Sequence, residues 1–238
     1  MSELPQKLMA EVEVKNRYVA YMDILGWSDK VDSDFGATLE LYDELITSVN
    51  DVQEISENPP VIRIVSDSII VVSDDLRRVL RTTNLFLHSA LVYDCLLRGG
   101  IAFGKHCELA NQGNLFVLSE ALVAAAKIER AVSYPCVAVH PDLIQASYYP
   151  ELASIPLITR LVLFYDGVWL VNPFNVMWLT SAASHASYLK ELHPKHAAKY
   201  DWFLGLYDTF TSGASMLPES FDTGATQKRW APAHNETS

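Results

Sequence analysis

The strongest constraint on the fold is a pair of β-branched runs, Val61–Val65 and residues 69–72, on either side of Ser66-Asp67-Ser68. β-Branched residues favour strands, and a short polar segment between two such strands favours a hairpin or a tight bend. This pattern predicts two neighbouring strands that place an aspartate at their tip.

The flanking segments extend this hairpin into a larger α+β unit. Residues 18–24 (YVAYMDI) and 97–104 (LRGGIAFG) are typical of strands, and so are residues 135–139. Three amphipathic segments predict helices: one in the stretch from Ser28 to just before Asn58-Pro59-Pro60, one over 77–96, and one over 119–131 with Ser119 as N-cap. The order of strands and helices predicts an α+β sheet with helices packed on one face. The paired glycines of LRGGIAFG would let another element approach the backbone of that strand closely.

The C-terminal third is organised differently. Residues 161–171 form two apolar arms around Asp166-Gly167, which predicts a hairpin, and a helical region follows. From Gly213 onward Pro, Gly, Ser, Thr and charged residues replace the periodic pattern, which predicts a disordered or loosely tethered tail. The predicted organisation is a lead (1–16), a main domain (17–158), a C-terminal hairpin and helix extension (159–212) and the tail (213–238).

The charge balance narrows the possible partners. The 238-residue chain has 18 Lys and Arg against 29 Asp and Glu, a formal charge of −11. Because nucleic-acid polymers are bound by clustered cations, we expect no such partner. No signal peptide or membrane-spanning segment is predicted. Cys95, Cys107 and Cys136 lie in apolar runs without metal-binding spacing, which indicates reduced core thiols and a cytoplasmic protein.

Asp23 and Asp67 are the acids that most strongly suggest chemistry. Each lies in an apolar strand context, where an ionised carboxylate is costly unless it is paired or binds a cation. On neighbouring strands, the two could converge on Mg²⁺ or Mn²⁺. Each alone could instead be a turn or cap aspartate. The backbone N–H groups of the turn at Gly26 could hold phosphates beside the metal.

Four segments in this order resemble one family: YMDILGWS, RIVSDSI, LRGGIAFG and ALVAAAKIERA. Together they resemble the class III adenylyl and guanylyl cyclase homology domain. They are most similar to the Pycsar-type pyrimidine cyclases of bacterial anti-phage defence, which carry Arg-x-x-Ser-Asp-Ser where purine cyclases carry Lys-x-x-Gly-Asp. The resemblance implies a ferredoxin-like sheet for the main domain.

The resemblance also implies the roles of the residues around the first motif. Two Mg²⁺ or Mn²⁺ ions in each active site would be held by Asp23, Ile24 and Asp67. The triphosphate would contact Leu25, Gly26 and Trp27, with the backbone of Ile24, Leu25 and Gly26 as its cradle.

The base and the transition state would be contacted by residues farther along the chain. Arg63 falls at the base-contacting position, where its donors could meet O2 and O4 of uracil or O2 and N3 of cytosine, or it is an exposed strand arginine. Phe116 falls near the second base position, where it could pack on a base or fill the core. Lys127 stands where the family has arginine and Val123 where it has asparagine, a departure from the purine pattern. Arg98 is a further candidate cation, or a structural strand-end arginine.

The function implied by this resemblance is a homodimeric cyclase with active sites at the interface. It would convert UTP to 3′,5′-cyclic UMP and pyrophosphate, and the cyclic nucleotide would act on a separate effector. One alternative is a cytidylate cyclase that uses CTP. Another is a cyclase-like module that has lost catalysis and serves in nucleotide binding or dimerisation, an alternative that Val123 and Lys127 favour.

Overall fold

A computed structural model describes residues 13–111, 114–144, 149–174 and 179–219. The strands are β1 (Lys15–Ile24), β2 (Val61–Val65), β3 (Ser68–Ser73), β4 (Leu97–Asn111), β5 (Asn114–Ser119), β6 (Val137–Val139), β7 (Val162–Tyr165) and β8 (Val168–Val171). The α-helices are α1 (Trp27–Ser33), α2 (Phe35–Ile55), α3 (Leu76–Val92), α4 (Glu120–Val132), α5 (Tyr149–Ser154), α6 (Leu179–Leu192) and α7 (Ala197–Thr211). Three single-turn 3₁₀ helices occur at Pro141–Leu143, Leu157–Thr159 and Pro194–His196.

One eight-stranded sheet organises the chain. Its strand order is β2-β3-β1-β4-β6-β8-β7, and β5 pairs with the outer part of β4. β1 lies between β3 and β4, antiparallel to both. The first four strands and the helices between them therefore have the order of a ferredoxin-like unit, and the predicted α+β class is confirmed.

The alternation of side chains along β1 shows which face of the sheet each helix covers. Ala20 and Met22 are buried in one core cluster with residues of α2 and α3, so these helices cover that face as predicted. Val19 instead packs with Ala121 of α4, which lies on the opposite face, so the prediction that the helices pack on one face is wrong for α4. The approach of α4 depends on Gly100, where a Cβ atom would lie 2.4 Å from the carbonyl oxygen of Ala125. This glycine therefore provides the close backbone approach expected of the paired glycines.

Several element boundaries differ from the prediction. The helix predicted over 77–96 ends at Val92, because Asp94 has φ +55° and the Cys95 N–H turns back to the carbonyl of Ala90. The first predicted helix is two helices, since the Asp34 side chain caps a new one by accepting from the Ala37 N–H. The strand predicted to end at Gly104 continues to Asn111 and pairs with β5, a strand the sequence analysis did not predict.

The C-terminal extension joins the same sheet. β7 and β8 form the predicted hairpin, with φ +48° at Asp166 and +75° at Gly167 in its turn. The predicted tail is not free at its start: the Phe164 N–H donates to the carbonyl of Met216, and Met216 is buried. That segment therefore packs against β7. Residues 220–238 of the predicted tail and residues 1–12 of the predicted lead lie outside the described residues.

The cysteines are reduced. All three are free, with Cys95 and Cys136 buried and Cys107 half-buried. Burial raises the pKa of the Cys95 and Cys136 thiols, which keeps them protonated at neutral pH. In the described part of the chain, no helix is both long enough and apolar enough to cross a membrane.

Candidate active site

Asp23 and Asp67 lie side by side at one end of the central strands. Asp23 is in β1 opposite Ser68, and Asp67 is in the two-residue turn between β2 and β3. The Ile24 N–H donates to the carbonyl of Asp67 at 3.0 Å, which ties the turn to β1. The two carboxyl groups are near enough that Asp67 raises the pKa of Asp23.

The turn that carries Asp67 is held from three sides. Besides the bond from Ile24, the Tyr42 hydroxyl of α2 donates to the carbonyl of Ser66 at 3.0 Å. The hydroxyl groups of Tyr21 and Ser68 are 3.2 Å apart. Ser66 has φ +55°, a left-handed conformation that costs a non-glycine residue about 1 kcal/mol. The surrounding bonds therefore hold a strained turn in place, as is common at functional sites.

The electrostatics of the pair favour a bound cation. Burial raises the pKa of Asp23, the neighbouring Asp67 raises it further, and Arg98 lowers it. A divalent cation between the carboxylates would relieve both the desolvation and the repulsion. Among the described residues, no group of three or more His, Cys, Asp and Glu could hold a metal ion. Two carboxylates nevertheless suit Mg²⁺, which keeps several waters and often takes its other ligands from substrate phosphates.

Arg98 is the cation of this cluster. It lies directly opposite Asp23 on β4, and its Nη2 is 3.1 Å from Oδ2 of Asp23. Its Nε is also 2.6 Å from Oε1 of Glu129, a buried carboxylate on α4. Arg98 therefore connects the acidic pair to the helix on the opposite side from α2 and α3.

The turn after β1 differs from the predicted phosphate cradle. The Ile24 N–H is bonded to Asp67, and the Leu25 N–H donates to the carbonyl of Leu96 at 2.9 Å. These two amides therefore cannot also bind a phosphate in this conformation. Gly26 has φ +76° and precedes α1, whose first-turn N–H groups have no acceptor within the helix. The amides that follow Gly26, beginning with that of Trp27, are the ones that could hold a phosphate.

The remaining predicted residues are separate from the acidic pair. Arg63 of β2 donates to Oε2 of Glu108 at 2.9 Å, and its Nε is buried without a hydrogen-bond partner. Phe116 is 56% exposed on β5. Lys127 is exposed on α4, and Val123 one turn earlier is 56% exposed. Arg63 thus has a carboxylate partner, while Phe116 and Lys127 face solvent.

Three site residues were missed by the sequence analysis. Glu129 and Glu108 are the carboxylate partners of Arg98 and Arg63. Burial lowers the pKa of Lys199 on α7 and Arg98 lowers it further, while Asp23 and Glu129 raise it. Glu129 alone had a signal in the sequence, because it occupies the apolar face of its helix beside Ile128.

The chain is distantly similar in structure to several solved proteins. No family model matches the sequence, and no curated protein matches it significantly. The solved structures similar to this chain include an adenylyl cyclase, CyaB from P. aeruginosa, with 13% identity, a TM-score of 0.48, and coverage of 68% of this chain and 96% of that one. The guanylyl cyclase Cya2 has 11% identity and a TM-score of 0.46, over 69% of this chain and 95% of that one. A dimeric guanylyl cyclase domain of the RhoGC fusion protein from the fungus Blastocladiella emersonii has 10% identity and a TM-score of 0.48, over 67% and 97%.

Proposed function

We propose that this chain is a nucleotide cyclase that converts UTP to 3′,5′-cyclic UMP and pyrophosphate. The observation that carries the proposal is the adjacent pair Asp23 and Asp67, held by backbone bonds beside Arg98. Nothing in this cluster resembles a nucleophile activated by a base. The cluster suits a reaction that needs charge neutralisation and positioning, and phosphoryl transfer is such a reaction.

In the proposed reaction the ribose 3′-oxygen attacks the α-phosphorus. The new O–P bond forms as the bond from the α-phosphorus to the bridging oxygen breaks, pyrophosphate leaves, and the hydroxyl proton passes to solvent. Two Mg²⁺ or Mn²⁺ ions held by Asp23 and Asp67 would acidify the hydroxyl and neutralise phosphate charge. Arg98 is placed to bind phosphate oxygens, and the amides after Gly26 could do the same. Cations from the proposed partner subunit, including Lys127, would complete the site.

Base selection in this proposal depends on Arg63. The guanidinium group has donors only, and both uracil and cytosine offer acceptors, so CTP remains the alternative substrate. Glu108 fixes the orientation of Arg63 through the 2.9 Å bond. The resemblance to Pycsar-type cyclases supports UTP and a product that signals to an effector in phage defence.

The proposed active form is a homodimer, supported by the apolar arm formed by β4 and β5. Along β5, Leu115, Phe116, Val117 and Leu118 are 44, 56, 39 and 78% exposed. Four consecutive apolar residues exposed on both faces of a strand are unusual for a monomer and typical of an interface. A second copy of the chain would cover this arm and bring Lys127 toward the partner's acidic pair.

Replacing Leu118 by glutamate tests the dimer. We expect wild-type protein to sediment as a dimer and L118E as a monomer, with cyclase activity lowered at least about tenfold, because a charge in a buried interface is strongly unfavourable. Analytical ultracentrifugation and product formation are the two measurements. The matched control is L39E, the same change at an exposed leucine on α2, which should leave both unchanged. Dimeric L118E would refute the role of the arm.

The reaction itself is tested by incubating the protein with each of the four NTPs and Mn²⁺, and identifying products by mass spectrometry. We expect cyclic UMP from UTP as the main product. Cyclic CMP as the main product would select the cytidylate alternative, and cyclic AMP or GMP alone would exclude a pyrimidine cyclase. No cyclic nucleotide from any NTP would leave the nucleotide-binding or dimerisation module as the function.

A further inference from the structure

Arg63 and Glu108 form an ion pair that joins β2 to the outer part of β4. Nη2 of Arg63 donates to Oε2 of Glu108 at 2.9 Å. The side chains of Arg63 and Glu108 are 40% and 22% exposed, so neither is sealed inside the protein. A ligand could therefore reach both members of the pair from solvent.

A third polar residue lies beside this pair. His106, two positions before Glu108 on β4, is on the same face of the strand, with Nε2 3.4 Å from Oε1 of Glu108. Its side chain is only 6% exposed, and within the described residues neither ring nitrogen has a hydrogen-bond partner. Nε of Arg63 is also buried without a partner. Because buried polar groups are normally hydrogen-bonded, these unpaired nitrogen atoms mark the cluster as a candidate binding site.

The ion pair offers a ligand a donor and an acceptor side by side. Nη2 of Arg63 donates to Glu108, and Nη1 donates to the carbonyl of Ile62 at 3.2 Å. Each of these terminal nitrogens carries a second N–H that remains available. The Glu108 carboxylate has about four acceptor positions, of which Arg63 occupies one. A planar ring with an acceptor next to a donor on its edge is complementary to this arrangement.

The two pyrimidine bases differ in how their edges meet this pair. Uracil has an N3–H donor between the O2 and O4 acceptors, so an arginine alone would bind a carbonyl oxygen and leave N3–H unpaired. A carboxylate beside the arginine accepts from that N3–H. Cytosine presents O2 and N3 as adjacent acceptors, which the two terminal nitrogens of an arginine can bind without a second residue. Uracil therefore gains more than cytosine from the presence of Glu108.

We propose that Glu108 accepts a hydrogen bond from N3–H of uracil while Arg63 donates to the neighbouring O4, so that Glu108 is the residue that favours UTP over CTP. This inference rests on the proposed function for the identity of the substrate. Phe116, the other residue predicted near the base, lies opposite Leu109 in the β4–β5 pair, whereas Glu108 lies opposite Val117. Because directly opposite residues share a face, Phe116 is on the face of the arm away from Glu108.

The test measures binding of 3′-deoxy-UTP and 3′-deoxy-CTP, which have no 3′-hydroxyl and cannot cyclise, by isothermal titration calorimetry with Mg²⁺. We expect wild-type protein to bind the uracil nucleotide more tightly. In E108A the ratio of the two affinities should fall at least about tenfold, because an N3–H left unpaired in a binding site is costly. A general disturbance of Arg63 would instead weaken both nucleotides and leave their ratio unchanged.

A modified nucleotide gives an independent measurement of the same contact. The N3-methyl derivative of 3′-deoxy-UTP has no N3–H to donate. Wild-type protein should bind it at least about tenfold more weakly than 3′-deoxy-UTP, whereas E108A should bind the two within about threefold of each other. A purely structural role of Glu108 would not produce this difference between the wild-type protein and the variant.

The matched control is E120A. Glu120 begins α4 and pairs with Lys105 of β4, both of them exposed, so this change removes a glutamate that contacts a different cation on the same strand. E120A should keep the wild-type affinity ratio. An unchanged ratio in E108A, a wild-type preference for 3′-deoxy-CTP, or no binding of either nucleotide by wild-type protein would overturn the role of Glu108. Preferential binding of 3′-deoxy-UTP that depends on Glu108, in a protein that cyclises no NTP, would refute the proposed reaction and retain the base contact.

Discussion

Replacing Asp67 by asparagine, D67N, is expected to lower cyclase activity by about 1,000-fold, equivalent to about 4 kcal/mol of transition-state stabilisation. Asparagine keeps the size of the side chain and removes its charge. The backbone carbonyl of residue 67 would still accept from Ile24, and Tyr42 would still hold Ser66. The turn should therefore survive while the cation loses one of its carboxylates.

Two measurements separate this effect from misfolding. Mn²⁺ binding followed by electron paramagnetic resonance should weaken in D67N, while the urea midpoint of unfolding should stay the same or rise, because a repulsion with Asp23 is removed. The matched control is D166N, the same change in the turn of the β7–β8 hairpin, where asparagine tolerates the positive φ. D166N should remain fully active. A D67N enzyme within about tenfold of wild-type activity would remove Asp67 from the proposed metal site.

The second large effect is expected on stability. Replacing Gly99 by alanine, G99A, should lower the free energy of unfolding by about 3 kcal/mol, because the added Cβ would lie 2.2 Å from the carbonyl oxygen of Tyr21. Tyr21 belongs to β1, so relief requires the two central strands to move apart. Urea unfolding followed by tryptophan fluorescence measures the change.

The control for G99A is G36A, near the start of α2. A Cβ there would meet only the Asp34 carboxylate oxygen at 3.3 Å, and alanine favours the helix over glycine by about 0.5 to 1 kcal/mol. G36A should therefore be neutral or slightly stabilising. An unchanged urea midpoint in G99A would mean that β1 and β4 can separate locally at little cost.

The approach of Asp23 and Asp67 could be foreseen because it depends on local patterns. An acid near the end of an apolar strand and an acid between two β-branched runs lie at the same end of the sheet if the strands pair side by side. The same reasoning failed for the phosphate cradle. Whether the amides of Ile24 and Leu25 are free depends on the carbonyls of Asp67 and Leu96, which belong to distant segments.

The partners of the arginines could not be foreseen for a related reason. Arg98 meets Glu129 only because α4 packs on the face of the sheet that Gly100 leaves open. Arg63 meets Glu108 from a segment 45 residues away along the chain. The β5 strand was missed because its exposed apolar residues follow no alternation, which is the signal that identifies a half-buried strand.

The sheet itself shows why the C-terminal extension matters for the main domain. β6 has only three residues, all buried, and it lies between β4 on one side and β8 on the other. Without β8, the hydrogen-bonding groups of β6 would face solvent along an apolar edge, which invites pairing with other chains. The β7–β8 hairpin therefore covers an apolar strand edge, and we expect a version of the chain shortened before residue 159 to aggregate more readily.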